Sequence, residues 1–93
     1  MSKFQTKIIN KYRSFGYIVL NAINISDKGY PDLILCKDGK TTFIEVKEGK
    51  DTLKPLQKLR IDKLIKQGFT AFAIHDEKGV IYGSDENFFN YFK

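Results

Sequence analysis

The tightest constraint on this chain lies in its middle, where Asp38-Gly39 separates two β-rich runs, Asp32-Leu33-Ile34-Leu35-Cys36 and Thr41-Thr42-Phe43-Ile44-Glu45-Val46-Lys47. A two-residue Asp-Gly loop favours a type I′ turn, because both central residues tolerate positive φ and the turn's twist matches that of the strands it joins. Centring the turn there pairs Lys37 with Lys40, and every other pairing then follows, ending with Asp32 opposite Glu45. The elements on either side are simpler to read. Phe4, Ile8, Tyr12 and Phe15 recur at three- and four-residue intervals and predict an amphipathic helix over residues 3–15, ended by Gly16. Residues 17–22 predict a short strand that enters a polar loop over residues 24–29. Pro55 suits the first turn of a second helix, whose wide apolar arc of Leu56, Leu59, Ile61, Leu64 and Ile65 runs to Gly68. A strand over residues 69–75, a turn over 76–79 and a last strand over 80–82 come next, and Ser84-Asp85-Glu86 reads as the cap and first turn of a short C-terminal helix. The order is αβββαβ with a tail, an α/β domain whose central mixed β-sheet is flanked by helices.

A chain of 93 residues closes one modest core, so residues 1–93 are expected to form a single domain. A hydrophobic share of 42% with 29% charged residues excludes a disordered or collagen-like polymer. No apolar run approaches the roughly 20 residues that span a bilayer, and the start Met1-Ser2-Lys3-Phe4-Gln5 lacks the apolar stretch of a signal peptide. The expectation is a cytoplasmic protein with no membrane partner. Cys36, the single cysteine, has no disulfide partner and no zinc-spaced neighbours, and is expected in the core. The formal net charge of +5 suits a polyanionic partner, since Lys and Arg that neutralise phosphates release counterions.

Chemistry converges on the hairpin. Directly opposed residues of an antiparallel pair hold their Cβ atoms about 4.5–5.5 Å apart, so the carboxylates of Asp32 and Glu45 repel unless something compensates. A divalent cation compensates. Side chains alternate along a strand, so Lys47 lies on the same face as Glu45 and sets an ammonium beside the pair, while Glu48 points to the opposite face. Two carboxylates and an ammonium suit phosphodiester hydrolysis, in which oxygen ligands hold Mg²⁺ and a cation offsets charge in the transition state. The spacing alone equally fits an Asp32 that caps the turn after Pro31, with Glu45 and Lys47 on the wet face of a half-exposed strand.

Gly29-Tyr30-Pro31-Asp32-Leu33, then Phe43-Ile44-Glu45-Val46-Lys47, then Gln57 in the second helix, resemble in residue type and order the PD-(D/E)XK nuclease superfamily, most closely its VRR-NUC branch. The resemblance spans nearly the whole chain and implies a restriction endonuclease-like core. It implies that Asp32 and Glu45 bind Mg²⁺ or Mn²⁺ together with the backbone carbonyl of Val46. Lys47 would position the attacking water or stabilise the pentavalent phosphate, and Gln57 would stand beside them. Helical geometry supports the last point independently, because at 100° per residue Gln57 points between Ile61 and Leu64, towards the sheet; a capping or buried structural amide would point there too. One position departs from the family, which often carries a metal-binding Glu in its first helix where this chain has Gln5. Losing that charge should weaken cation binding.

Stand-alone relatives of this size imply a homodimer acting on branched or Holliday-type DNA, of a type suited to a phage. No base-reading module accompanies the core, which argues against sequence-specific cutting. The alternatives are a nuclease for single-stranded or nicked DNA or RNA, and a non-catalytic nucleic-acid-binding module with a decayed metal site. Lys50, Lys54, Lys58 and Arg60 surround the start of the second helix as candidate phosphate contacts or a solvated face. His75, the only histidine, is a candidate base or a polar strand terminus. Phe88, Phe89, Tyr91 and Phe92 crowd the last residues, apolar surface that packing on the sheet or on a second subunit would cover.

Overall fold

A computed structural model describes residues 2–22 and 26–84. The C-terminal helix expected from Ser84 onward, the aromatic cluster Phe88, Phe89, Tyr91 and Phe92, and the start of the polar loop at Asn24 lie outside the described residues. The elements are α1 (Lys3–Ser14), β1 (Ile18–Asn21), β2 (Leu33–Lys37), β3 (Lys40–Lys47), α2 (Pro55–Lys66), β4 (Thr70–His75) and β5 (Gly79–Gly83). All strands join one sheet in the order β1-β2-β3-β4-β5. Neighbours are antiparallel except β3 and β4, whose parallel pairing needs a long crossover, and α2 supplies it. This is the mixed sheet between helices that the sequence predicts.

The hairpin closes in the expected register. Asp38 and Gly39 have φ of 52° and 75°, the two positive values of a type I′ turn, and Lys37 pairs with Lys40 and Leu33 with Ile44. That register sorts the side chains onto two faces. On one, Leu33, Leu35, Ile44, Phe72 and Ile74 pack against Ile8, Ile9 and Tyr12 of α1. On the other, Ala71 and Ala73 of β4 lie under Ile61 of α2, with Phe43, Leu64 and Ile65 around them. Two alanines leave little side chain between sheet and helix, so α2 lies close to the strands. Covered on both faces, β4 is buried from Ala71 to His75, as a central strand between two helices should be.

Two expectations are corrected. Cys36 is half-buried, not core, because it lies on the α2 side of β2 while α2 covers β4 and β5; its neighbour across β1, Ile18, is 63% exposed. The apolar arc of α2 is narrower than its sequence suggests. Ile61 is fully buried and Leu64 and Ile65 pack beside it, whereas Leu56 and Leu59 are exposed.

The two sides of the sheet should respond differently to truncation. Leu35→Ala, which empties a fully buried site, should cost about 3 kcal/mol in urea denaturation. Leu20→Ala, at a residue 50% exposed on the edge strand β1, should cost less than about 0.5 kcal/mol.

Candidate active site

Beyond Leu33 the chain at the start of β2 no longer pairs with β3, and a side chain takes over the bond. The backbone N–H of Val46 donates to Asp32 Oδ2 at 3.0 Å. In an extended strand the N–H and C=O of one residue leave on the same side, so the Val46 carbonyl is also turned towards Asp32. Glu45 flanks this gap, near enough to Asp32 that the two carboxyls act on one another electrostatically. The two acidic groups that the hairpin register opposes therefore do meet.

Neither Glu45 nor Lys47 is on a wet strand face. Each is only 4% exposed, because both share the face that α2 packs against. Burial of Glu45 beside a second carboxylate has a clear electrostatic consequence. Desolvation, aided by the charge of Asp32 and opposed by Lys47, pushes the Glu45 carboxyl up from 4.5 to about 7. Burial also raises Asp32, held back by the Val46 N–H and the Lys47 ammonium. Lys47 Nζ lies 3.3 Å from Glu45 Oε2 and 3.4 Å from Asp51 Oδ2.

Gln57 is both of the things its sequence position allows. Its Oε1 accepts the N–H of Lys54 at 2.9 Å, closing the start of α2, and its Nε2 donates to Glu45 Oε2 at 3.2 Å. Because Oε1 must face a backbone donor, the amide orientation is fixed and the NH₂ is aimed at the carboxyl. Capping and site contact are one arrangement.

Among the described residues no group of three or more His, Cys, Asp or Glu side chains is gathered to hold a metal. The donor set present is two carboxyls and the Val46 carbonyl, hard oxygen donors of the kind Mg²⁺ takes. An acidic pair in which desolvation, reinforced by the Asp32 charge, raises the Glu45 carboxyl to about 7 is a site that a divalent cation fits. Gln5 is half-buried, on the α1 face it shares with Ile8, Ile9 and Tyr12, and that helix packs on the opposite side of the sheet from Glu45 and Lys47.

Asp51 is the residue that sequence reading missed. It is brought back to Lys47 by a turn in which Asp51 N–H donates to Glu48 O at 3.1 Å and Gly49 takes a φ of 61°. The signal available was Gly49 itself, a turn former placed between the lysine and the carboxylate. The basic candidates are dispersed: Lys50, Lys54 and Lys58 are exposed, Lys58 lies over the Tyr82 ring, and Arg60 stacks on Tyr30 at 4.6 Å while its Nε donates to Lys28 O. His75 is buried with both ring nitrogens bonded to backbone groups, which removes it as a candidate base facing substrate.

A mixed sheet between α1 and α2, with an acidic pair and a lysine on the strands at its centre, is the restriction endonuclease-like fold. Residues 3–76 match the VRR-NUC domain, and the chain belongs to that family of nuclease-type domains. Among solved structures it resembles a VRR-NUC domain with a TM-score of 0.65 and 24% identity over 74% of this chain and 76% of that one. It also resembles the Holliday junction resolvase Hjc of Archaeoglobus fulgidus, with a TM-score of 0.60 and 15% identity. That match covers 80% of this chain and 62% of the resolvase, less than two thirds of its length. No curated protein matches the sequence.

The acidic pair should make the metal-free protein sensitive to alkali. Glu45 binds its proton more tightly folded than unfolded, so its contribution is fully present below about pH 4.5 and lost as pH rises through about 7. In EDTA, Tm should fall between pH 5 and pH 8, and Glu45→Gln, which carries no proton to lose, should flatten that fall.

Proposed function

We propose that this chain is a single metal-dependent endodeoxyribonuclease domain that hydrolyses phosphodiester bonds in DNA, with a structural rather than a sequence preference. The observation that carries the reading is the pair of half-buried Asp32 and buried Glu45, bracketed by Lys47 and Gln57, at the point where β2 and β3 part. Asp32, Glu45 and the Val46 carbonyl would hold Mg²⁺ or Mn²⁺. A cation there supplies Lewis-acid polarisation of the scissile phosphate and acidifies water for attack.

The chain's own groups have separable tasks. Asp32 is held through Oδ2 by the Val46 N–H. Gln57 fixes Glu45 through Oε2, which leaves Oε1 for a ligand. The Lys47 ammonium offsets the charge that grows on the phosphoryl oxygens, and being 4% exposed it acts in a partly desolvated setting where that interaction is stronger. Lys54, at the cap of α2, and Lys58 and Arg60 on it are suited to phosphates of the flanking strand.

Branched DNA is the substrate class we favour, supported by the fold likeness to a Holliday junction resolvase, and a homodimer with two sites would suit two strands of a junction. A binding module without catalysis is the second reading, in which the Asp32–Glu45 pair is a decayed metal site whose charge Lys47 and a raised Glu45 proton affinity already offset.

Cleavage of labelled four-way junction, duplex, nicked and single-stranded DNA and of RNA, with Mg²⁺, Mn²⁺ or EDTA, tests the proposal. Metal-dependent cutting, strongest on the junction and reduced at least about 100-fold by Lys47→Ala, is expected. Intact substrate in every lane from a folded protein that binds DNA would instead establish the binding module.

A further inference from the structure

Lys47 ends β3, and the segment from Glu48 to Asp51 turns back over it before α2 begins. This turn is exposed and has no strand to hold it, yet the place of Asp51 against the Lys47 ammonium depends on it. Its anchorage comes from the end of β4. Asp76 N–H donates to the backbone oxygen of Lys47 at 3.1 Å, and Asp76 Oδ1 accepts the Gly49 N–H at 3.3 Å. His75 Nε2 lies 2.8 Å from Gly49 O.

The state of the histidine follows from its other side. Nδ1 faces the N–H groups of Glu77 at 3.1 Å and Lys78 at 3.3 Å, so it accepts and the ring proton sits on Nε2, aimed at Gly49 O. Asp76 Oδ1 also lies 3.2 Å from Nδ1, an ion pair only for a doubly protonated ring; two donors already converging on Nδ1 favour the Nε2–H tautomer. His75 thus ties two turns together, accepting from the one that follows it and donating to the one that follows Lys47. Both peptide groups of Gly49 are held from β4, at a residue whose φ of 61° any other side chain would strain although nothing lies within 4 Å of a Cβ there.

We infer that His75 and Asp76 are positioning residues for the cleavage reaction, which clamp the Gly49 turn and thereby hold Asp51 and the Lys47 ammonium in working geometry. The inference rests on the nuclease reading above. It reaches Lys47 through backbone atoms, so the clamp should govern turnover and not substrate binding.

Paired variants separate the bonds. Glutamine in place of His75 can present an NH₂ where Nε2–H stands, whereas asparagine can reach only the Nδ1 position. His75→Gln should keep kcat within about threefold of the parent, while His75→Asn should lower kcat about tenfold with KM little changed. Asp76→Ala, at an exposed residue outside the core, should act like His75→Asn, and Asp76→Asn, which retains an acceptor, should restore activity. Amide exchange at Gly49, followed by NMR on the same proteins, should quicken in the two defective variants. A Gly49 amide that exchanges faster while kcat stays at the parent value overturns the inference and leaves the nuclease reading standing. Equal losses in His75→Gln and His75→Asn also overturn it, since the donor to Gly49 would then not matter. If His75→Asn fails to fold, the Asp76 pair decides by the same comparison. A parent protein that cuts none of the DNA forms ends the nuclease reading before any variant is made, and the clamp's catalytic role with it.

Discussion

The end of the β2–β3 ladder is the constraint on which the site depends. Up to Leu33 and Ile44 the two strands satisfy one another's backbone groups, and beyond that point Val46 needs another acceptor. Asp32 supplies it with a carboxylate, which brings a negative charge to a place that strand pairing would otherwise have filled with a neutral carbonyl. One residue therefore closes a structural deficit and creates an electrostatic one. Leaving a buried N–H without a partner is costly, so the geometry of Asp32 is secured by the sheet itself.

The second carboxylate makes the deficit acute. Glu45 is buried by α2, whose close seat on Ala71 and Ala73 removes water from the same face. A lone lysine cannot fully compensate two acids in that setting, and Glu45 responds by holding a proton up to about pH 7. Such a pair is poor material for a stable core and well suited to gaining a cation, the balance expected where stability is traded for chemistry. The polar contacts around it share a logic in which each is anchored by the backbone at its far end. Gln57 is fixed by Lys54 N–H, Asp32 by Val46 N–H, and the turn carrying Asp51 by the end of β4.

The position of α2 explains why one helix serves both core and site. It is the crossover that a parallel β3–β4 pair requires, so it must lie across the face that carries Glu45, Lys47 and His75. Gln57 enters that face within its first turn, ahead of the apolar residues that dock farther along.

Much of this was legible in the order of residues. Asp38-Gly39 fixed the hairpin register, and the register alone brought Asp32 opposite Glu45 and Lys47 onto the same face, because local turn geometry and the two-residue period of a strand need no distant information. The spacing on α2 likewise turned Gln57 inward. What the residues could not decide was burial. The same alternation describes a wet strand or a buried one, and only the crossover of α2 made Glu45 and Lys47 interior, left Cys36 and Leu59 less covered than their apolar character suggested, and took His75 out of reach of substrate. Asp51 and Asp76 were invisible for the same reason, since their partners are reached across a turn and a parallel strand. The sequence by itself determined which side chains share a face, through short-range periodicity; the tertiary structure decided which face loses its water, because that depends on where a helix many residues away comes to rest.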